Sequence, residues 1–316
     1  MEGGNAVAQT GMRDIRRRIR SIKSTMQITR GMELVASAKL VKARKAFEAV
    51  KPYSQSTSGL FRNIADAGIP VKHRLLENRK VRNELYIVIT SDRGLCGGYN
   101  TNLVREVVSG LKDGVDPGFI VTGRRGAEHL RSAKYRIIGE YPGISDSPKP
   151  EHAAEIADTA LGLIKSGTVD RICLAYTKFI SAISQQPEVI QLIPPAPRPA
   201  DHETPPSADD EMSRPADHEG LSQQDGGDIP VFEPSYSVVL DVVIPVFLRG
   251  VIYGALVEAS VSEQAARRLA METATDNAQN MIEELTLSYN RARQGLITGE
   301  ITEIIGGAEA LHQGRH

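Results

Sequence analysis

The chain has 316 residues, of which 41% are hydrophobic and 24% charged, with a formal net charge of −1. That length supports one large domain or two ordinary ones with a full core, and a normal apolar fraction with balanced charge excludes disorder throughout. Two cysteines and no tryptophan exclude a disulfide scaffold and point to a reducing compartment.

In chain order, residues 1–11 are small and polar and read as a flexible N-terminal extension, with Met12 as an alternative start. They lack the basic start and apolar core of a secretory signal. Residues 12–67 read as a long helix. Apolar or small residues fall at Ile15, Ile19, Ile22, Met26, Ala36, Leu40, Ala43, Phe47 and Val50, and Thr29 and Glu33 occupy the same seam. Alternating steps of four and three are the signature of a coiled coil. Between Arg13 and Lys51 twelve Lys/Arg stand against three Asp/Glu, an excess of nine positive charges.

Residues 83–194 alternate between the two periods. Strands are expected at Leu85–Thr90, Phe119–Thr122, Tyr135–Ile138, Arg171–Tyr176 and Val189–Ile193. Helices are expected at Thr101–Leu111, Ala127–Ser132 and Glu151–Lys165. This pattern predicts an α/β layer that is parallel at least in part. Residues 195–235 form an acidic, proline-rich insert, expected to be disordered. From Pro194 to Ser235 there are ten Asp/Glu, two Lys/Arg and nine of the 17 prolines.

Residues 236–311 close the chain with a second helix. Ser262 is its expected N-cap, and its seam runs Ala278, Ile282, Leu285, Tyr289, Ala292, Leu296. The longest apolar stretch, Val238 to Leu248, is interrupted by Asp241 and Pro245 and falls short of the roughly 20 residues a bilayer requires. The chain is therefore expected to be soluble and intracellular. The fold class that emerges is α/β: an antiparallel coiled coil of N- and C-terminal helices with an inserted Rossmann-like α/β domain.

No catalytic centre is visible. The loop Gly94-Leu95-Cys96-Gly97-Gly98 sits where a phosphate cradle would, but no Gly-x-Gly and no Gly-Lys pair occurs in the chain, so both nucleotide fingerprints fail. The loop is read as a tight strand-to-helix turn. Cys96 beside Arg93 is a candidate thiol without a sequence-near histidine, and Cys173 reads as a core residue. The seven histidines include no pair at metal-ligand spacing. Neither metal nor cofactor is expected. The basic helix is compatible with nucleic acid or an acidic protein partner, and the heptad pattern with scarce aromatics favours the protein.

Three motifs carry a family resemblance. Arg13-Asp14-Ile15-Arg16, with Gln27-Ile28-Thr29-Arg30-Gly31-Met32-Glu33-Leu34-Val35-Ala36-Ser37-Ala38-Lys39-Leu40, resembles the opening helix of the bacterial-type F-type ATP synthase gamma subunit. Thr90-Ser91-Asp92-Arg93-Gly94-Leu95-Cys96-Gly97-Gly98-Tyr99-Asn100 resembles its central loop. Ser262-Glu263-Gln264-Ala265-Ala266-Arg267, Ala274-Thr275-Asp276-Asn277-Ala278 and Tyr289-Asn290-Arg291-Ala292-Arg293-Gln294 resemble its closing helix. The resemblance spans residues 12–311.

It implies the central rotor shaft of a proton-translocating ATP synthase, without catalysis of its own. Its partners would be three alpha and three beta subunits, the epsilon subunit and the c-ring, on the cytoplasmic side of the cell membrane as a peripheral protein. Neither nucleic acid binding nor direct membrane insertion is implied. By resemblance, Met32, Arg267, Gln294 and Thr298 contact beta subunits. Arg30, Lys39, Lys42 and Arg44 neighbour the beta subunit's acidic lever, and Glu233 lies near the c-ring and epsilon. Residues 304–311 would turn in a bearing of alpha and beta. The insert lacks cysteine, so a chloroplast-type thiol switch is not implied. Gly31, where the family often has alanine, is expected to cost about 1 kcal/mol or to mark close packing.

Overall fold

The computed structural model describes residues 2–66, 75–76, 80–195 and 236–313. Two long helices, α1 (Glu2–Asp66) and α5 (Tyr236–Gln313), enclose β1 (Asn83–Ile89), α2 (Tyr99–Ser109), β2 (Asp116–Thr122), α3 (Arg124–Ser132), β3 (Arg136–Tyr141), α4 (Pro150–Lys165), β4 (Arg171–Phe179) and β5 (Gln185–Ile193).

The helix pair follows the seam in the sequence. Ile15, Ile19, Ile22, Met26, Thr29, Glu33, Ala36, Leu40, Ala43, Phe47 and Val50 are all buried or half-buried along α1. On α5 the same holds for Ala278, Ile282, Leu285, Tyr289, Ala292 and Leu296. Pairing is antiparallel. Thr29 Oγ1 and Thr275 Oγ1 are 2.8 Å apart, so the polar seam position on one helix meets a polar one on the other. Farther along, the Arg16 guanidinium donates to the Tyr289 hydroxyl and lies 5.3 Å from its ring centroid. At the opposite end a Cβ on Gly254 would sit 2.9 Å from Ser54 Cβ, so glycine permits the helices to approach there. At about 1.5 Å per residue each helix is roughly 100 Å or longer, far beyond a globular core.

Three differences from the sequence reading stand out. Helix α1 begins at Glu2, so most of the stretch read as a loose extension is helical; no proline stops the helix from propagating backwards. Ser262 is not a cap but a fully buried residue inside α5, which starts 26 residues earlier. Gly31 is exposed, and a Cβ there would meet nothing within 4 Å, so it marks no close packing.

The sheet runs β3-β2-β1-β4-β5, with β5 antiparallel to β4 and the other pairs parallel. Strand β1 is buried on both faces, which explains its continuous apolar run. One face packs Tyr86, Val88, Phe119 and Ala175 against Leu103 and Val107 of α2 and Leu130 of α3. The other packs Leu85, Ile87 and Leu174 against Ile156 and Ala160 of α4 and Leu240, Ile244, Leu248 and Ile252 of α5. Helix α5 therefore does two jobs: its first part covers the sheet while already meeting α1 at Gly254, and its later part continues the pairing with α1. By length and composition alone it holds a stretch apolar enough to cross a bilayer, contrary to the sequence reading. In this fold, part of that apolar surface is the cover of the sheet. Residues 196–235, most of the acidic insert, lie outside the described residues.

Candidate functional site

The loop after β1 joins the sheet to the shaft. The Thr90 amide and hydroxyl both donate to Thr122 O, at 3.0 and 2.6 Å, and the Thr90 hydroxyl accepts from the Gly126 amide at 3.0 Å. Glycine is required opposite: Gly123 has φ 85°, and a Cβ there would fall 2.3 Å from Thr90 O. Ser91 and Asn100 close the turn. The Ser91 amide donates to Asn100 Oδ1 at 2.9 Å, and Asn100 Nδ2 donates to Ser91 Oγ at 2.7 Å. The Asp92 carboxylate accepts from the Gly143 amide at 2.8 Å, the Ser145 hydroxyl at 3.0 Å and the Arg124 amide at 3.3 Å, where it serves the N-terminus of α3.

This turn is fastened to α5. The Tyr99 hydroxyl donates to Ala259 O at 3.1 Å, and Arg267 donates to Arg93 O at 3.3 Å. Arg267 also pairs with Glu263 at 2.8 Å, with both residues buried. Burial pushes the Glu263 carboxyl up, opposed by the charge and hydrogen bond of Arg267. Burial likewise raises the Cys96 thiol, which is 2% exposed, so Cys96 lacks the low-pKa thiolate that reactive cysteines need. Its polar groups are turned on one another and on α5, as a structural turn requires. Among the described residues no group of three His, Cys, Asp or Glu is placed to hold a metal ion.

Beside the turn, a groove of about 610 Å³ opens between it and α1, lined by Ile28, Met32 and Val35, by Arg93 and Leu95, and by Arg125. Leu95 takes a left-handed backbone (φ 63°) and leaves its side chain 61% exposed on the rim. Its floor is apolar, and at its edge Arg93, Arg125 and Lys39 stand with the single carboxylate of Asp146.

The sequence-predicted residues fall into separate places. Met32 faces the groove. Arg267 borders it but is 8% exposed, its guanidinium engaged by Glu263 and the loop carbonyls. Lys39 is half-buried and bound to Asp146 at 2.8 Å. Arg30, Lys42 and Arg44 are exposed, and Arg44 pairs with Glu48 along its own helix at 3.0 Å. Gln294 and Thr298 are exposed on α5, about 40 Å along the helix from Arg267 at 1.5 Å per residue. Glu233 lies outside the described residues. Sequence reasoning missed Asp146, Glu263 and Gln264 as parts of the junction. Asp146 sits in an ordinary turn, and Glu263 and Gln264 carry no local sign that they face inward.

Comparison with known proteins places this architecture. A family model described as ATP synthase matches residues 11–311. The ATP synthase gamma chain of Heliobacterium modesticaldum is 42% identical over 301 residues, covering 95% of this chain and 99% of its own length. The gamma chain of Acetobacterium woodii, named as sodium ion specific, is 40% identical over 305 residues, covering 95% and 99%. Among solved structures, a chain of the Euglena gracilis mitochondrial ATP synthase (OSCP/F1/c-ring) matches with a TM-score of 0.65 at 20% identity, covering 97% of this chain and 96% of its own. A chain of the Tetrahymena thermophila central stalk and c-ring matches at 0.55 and 23% identity, covering 78% and 99%. Full-length identity near two-fifths, on a fold of two paired terminal helices around a five-stranded sheet, makes this chain a member of the ATP synthase gamma-chain family.

Proposed function

We infer that this chain is the central rotor shaft of an ATP synthase, turned by a membrane ring and driving nucleotide chemistry in surrounding alpha and beta subunits. The observation that carries this reading is the antiparallel rod of α1 and α5, far longer than its own core requires, projecting from an α/β layer. Catalysis is assigned to the beta subunits and not to this chain. The α/β layer faces the c-ring and epsilon, on the cytoplasmic side of the membrane.

A shaft acts by presenting a different surface to each beta subunit, because equal affinity for all conformations shifts none of them. Moving a two-state element from 1:99 to 99:1 takes about 5.5 kcal/mol of differential contact. An exposed ion pair supplies at most about 1 kcal/mol, whereas one fully buried aliphatic side chain supplies about 1.5–3 kcal/mol. Two or three apolar contacts therefore outweigh several charges. Exposed Ile28 and Val35, with Met32 and Leu95, form such a set in the groove. Arg93 and Arg125 on its edge steer an acidic lever toward it. Arg30, Lys42 and Arg44 extend that field, while Lys39 is already engaged within the chain. Gln294 and Thr298 form a second polar contact farther along the rod. Arg267 acts indirectly, by holding the loop that carries Arg93 and Leu95.

Reconstitution with matched alpha and beta subunits tests this. About one copy per three beta subunits is expected to enter the complex and change steady-state ATP hydrolysis. Gln294→Ala with Thr298→Ala should weaken coupling while leaving the thermal midpoint of the isolated chain within about 2 °C, as exposed sites do. A chain that stays out of the complex contradicts the reading.

A further inference from the structure

One carboxylate in the turn between β3 and α4 reaches both helices of the shaft. Lys39 Nζ, on α1, donates to Asp146 Oδ2 at 2.8 Å. Gln264 Nε2, on α5, donates to Asp146 Oδ1 at 3.3 Å, and Gln264 itself is 2% exposed. The turn is anchored at its other end by Asp92, which accepts from the Ser145 hydroxyl at 3.0 Å. A continuous polar path thus runs from the β1 loop through Ser145 and Asp146 to both helices. Grooves of about 610 and 210 Å³ open beside it, each lined by Lys39, Asp146 and Gln264. Asp146 is a strut across a gap rather than part of a packed surface. Burial pushes its carboxyl up, but the hydrogen bond and charge of Lys39 and the charges of Arg93 and Arg267 more than offset that, keeping it below the ordinary range. It is an anion at neutral pH.

A pair with both partners 40% exposed adds little to stability, so its contribution is geometric. The α/β layer rests on α5 through α4 and β4, and α1 packs against α5. Load entering the layer reaches α1 across the helix seam, where Thr29 and Glu33 interrupt the apolar packing. We propose that Asp146 is a positioning residue for torque transfer, tying the α/β layer to α1 through Lys39 and to α5 through Gln264 so that both helices turn with the layer. This rests on the rotor-shaft reading.

The test uses the whole reconstituted complex in vesicles and reads ions pumped per ATP hydrolysed against an opposing gradient. Asp146→Asn and Lys39→Met are each expected to lower that ratio about two- to fivefold, and the double variant no further, as coupled partners behave. The thermal midpoint of the isolated chain should hold within about 2 °C. Asp146→Glu, which keeps the charge, should restore most of the ratio. An unchanged ratio in Asp146→Asn overturns the proposal, as does a loss that tracks a falling midpoint or that adds fully in the double variant. A wild-type complex that assembles but pumps nothing overturns the rotor-shaft reading itself, and the proposal with it.

Discussion

Arg267→Ala is expected to destabilise the isolated chain by up to about 3 kcal/mol at pH 7 and by about 1 kcal/mol at most at pH 5.5. The substitution removes the buried partner of Glu263 and leaves a carboxylate inside the protein, a change that usually costs about 3–5 kcal/mol. The carboxyl has an escape: it can protonate. For a carboxyl at its ordinary value near 4.5, that costs about 3 kcal/mol at pH 7. Because Glu263 is already raised in the native fold, this is the upper limit of the added cost, and the limit falls by about 1.4 kcal/mol for each unit the pH drops. The sign follows from burial. Glu263 is already raised in the native fold, so its contribution is most favourable below the unfolded value and is lost as pH rises through the folded one. Without Arg267 to oppose burial the folded value climbs further, and the gap between variant and wild type widens with pH. Thermal midpoints measured from pH 5.5 to 7.5 check this. A penalty independent of pH would place the cost in the lost loop hydrogen bonds instead. The same variant should also loosen Arg93 and Gly94, whose carbonyls Arg267 holds, and so impair coupling in the complex.

Gly123→Ala is expected to cost about 3 kcal/mol or more, from two additive causes. A non-glycine residue at φ 85° carries strain of about 1–3 kcal/mol. The new methyl would also lie 2.3 Å from Thr90 O and 2.7 Å from Thr90 C, backbone atoms that cannot turn aside, and overpacking of this kind costs about 1–3 kcal/mol. Gly114→Ala is the control, since it shares the strain (φ 78°) but meets nothing within 4 Å. Urea unfolding should show the larger loss at Gly123 by about the overpacking share. Equal losses would mean that the β1 and β2 ends can part without penalty, contradicting the tight turn described here.

Much of this molecule was legible because long-range order follows from local period. The seam from Ile15 to Val50 and the one from Ala278 to Leu296 specify which face of each helix turns inward, and both are buried or half-buried. The run Leu85 to Ile89 is a strand covered on both faces, which its unbroken apolar character required. What periodicity could not deliver was the change of role within one helix. Leu240, Ile244, Leu248 and Ile252 pack on the sheet, so before residue 262 the period of α5 answers to the sheet as well as to α1. A serine preceding a glutamate looks like a cap locally, yet Ser262 is buried within α5. The turn after β1 was marked by its motif, but the partners of its side chains within the chain were not. The charge of Arg267 is matched within the chain, one turn away, by a glutamate that also faces inward. Lys39 was expected to meet a partner protein, yet it meets Asp146, more than 100 residues away and in an ordinary turn. Neither meeting is encoded in spacing along the chain.

Rotation of the α/β layer relative to the catalytic ring is the central claim, and it can be watched. Both native cysteines are buried, so Asp113→Cys in the exposed turn after α2 gives one accessible thiol for a probe. With alpha and beta subunits fixed to a surface and ATP supplied, a bead on residue 113 should turn continuously in one direction and stop when ATP is removed. A bead that stays still while the same complex hydrolyses ATP would contradict the shaft role.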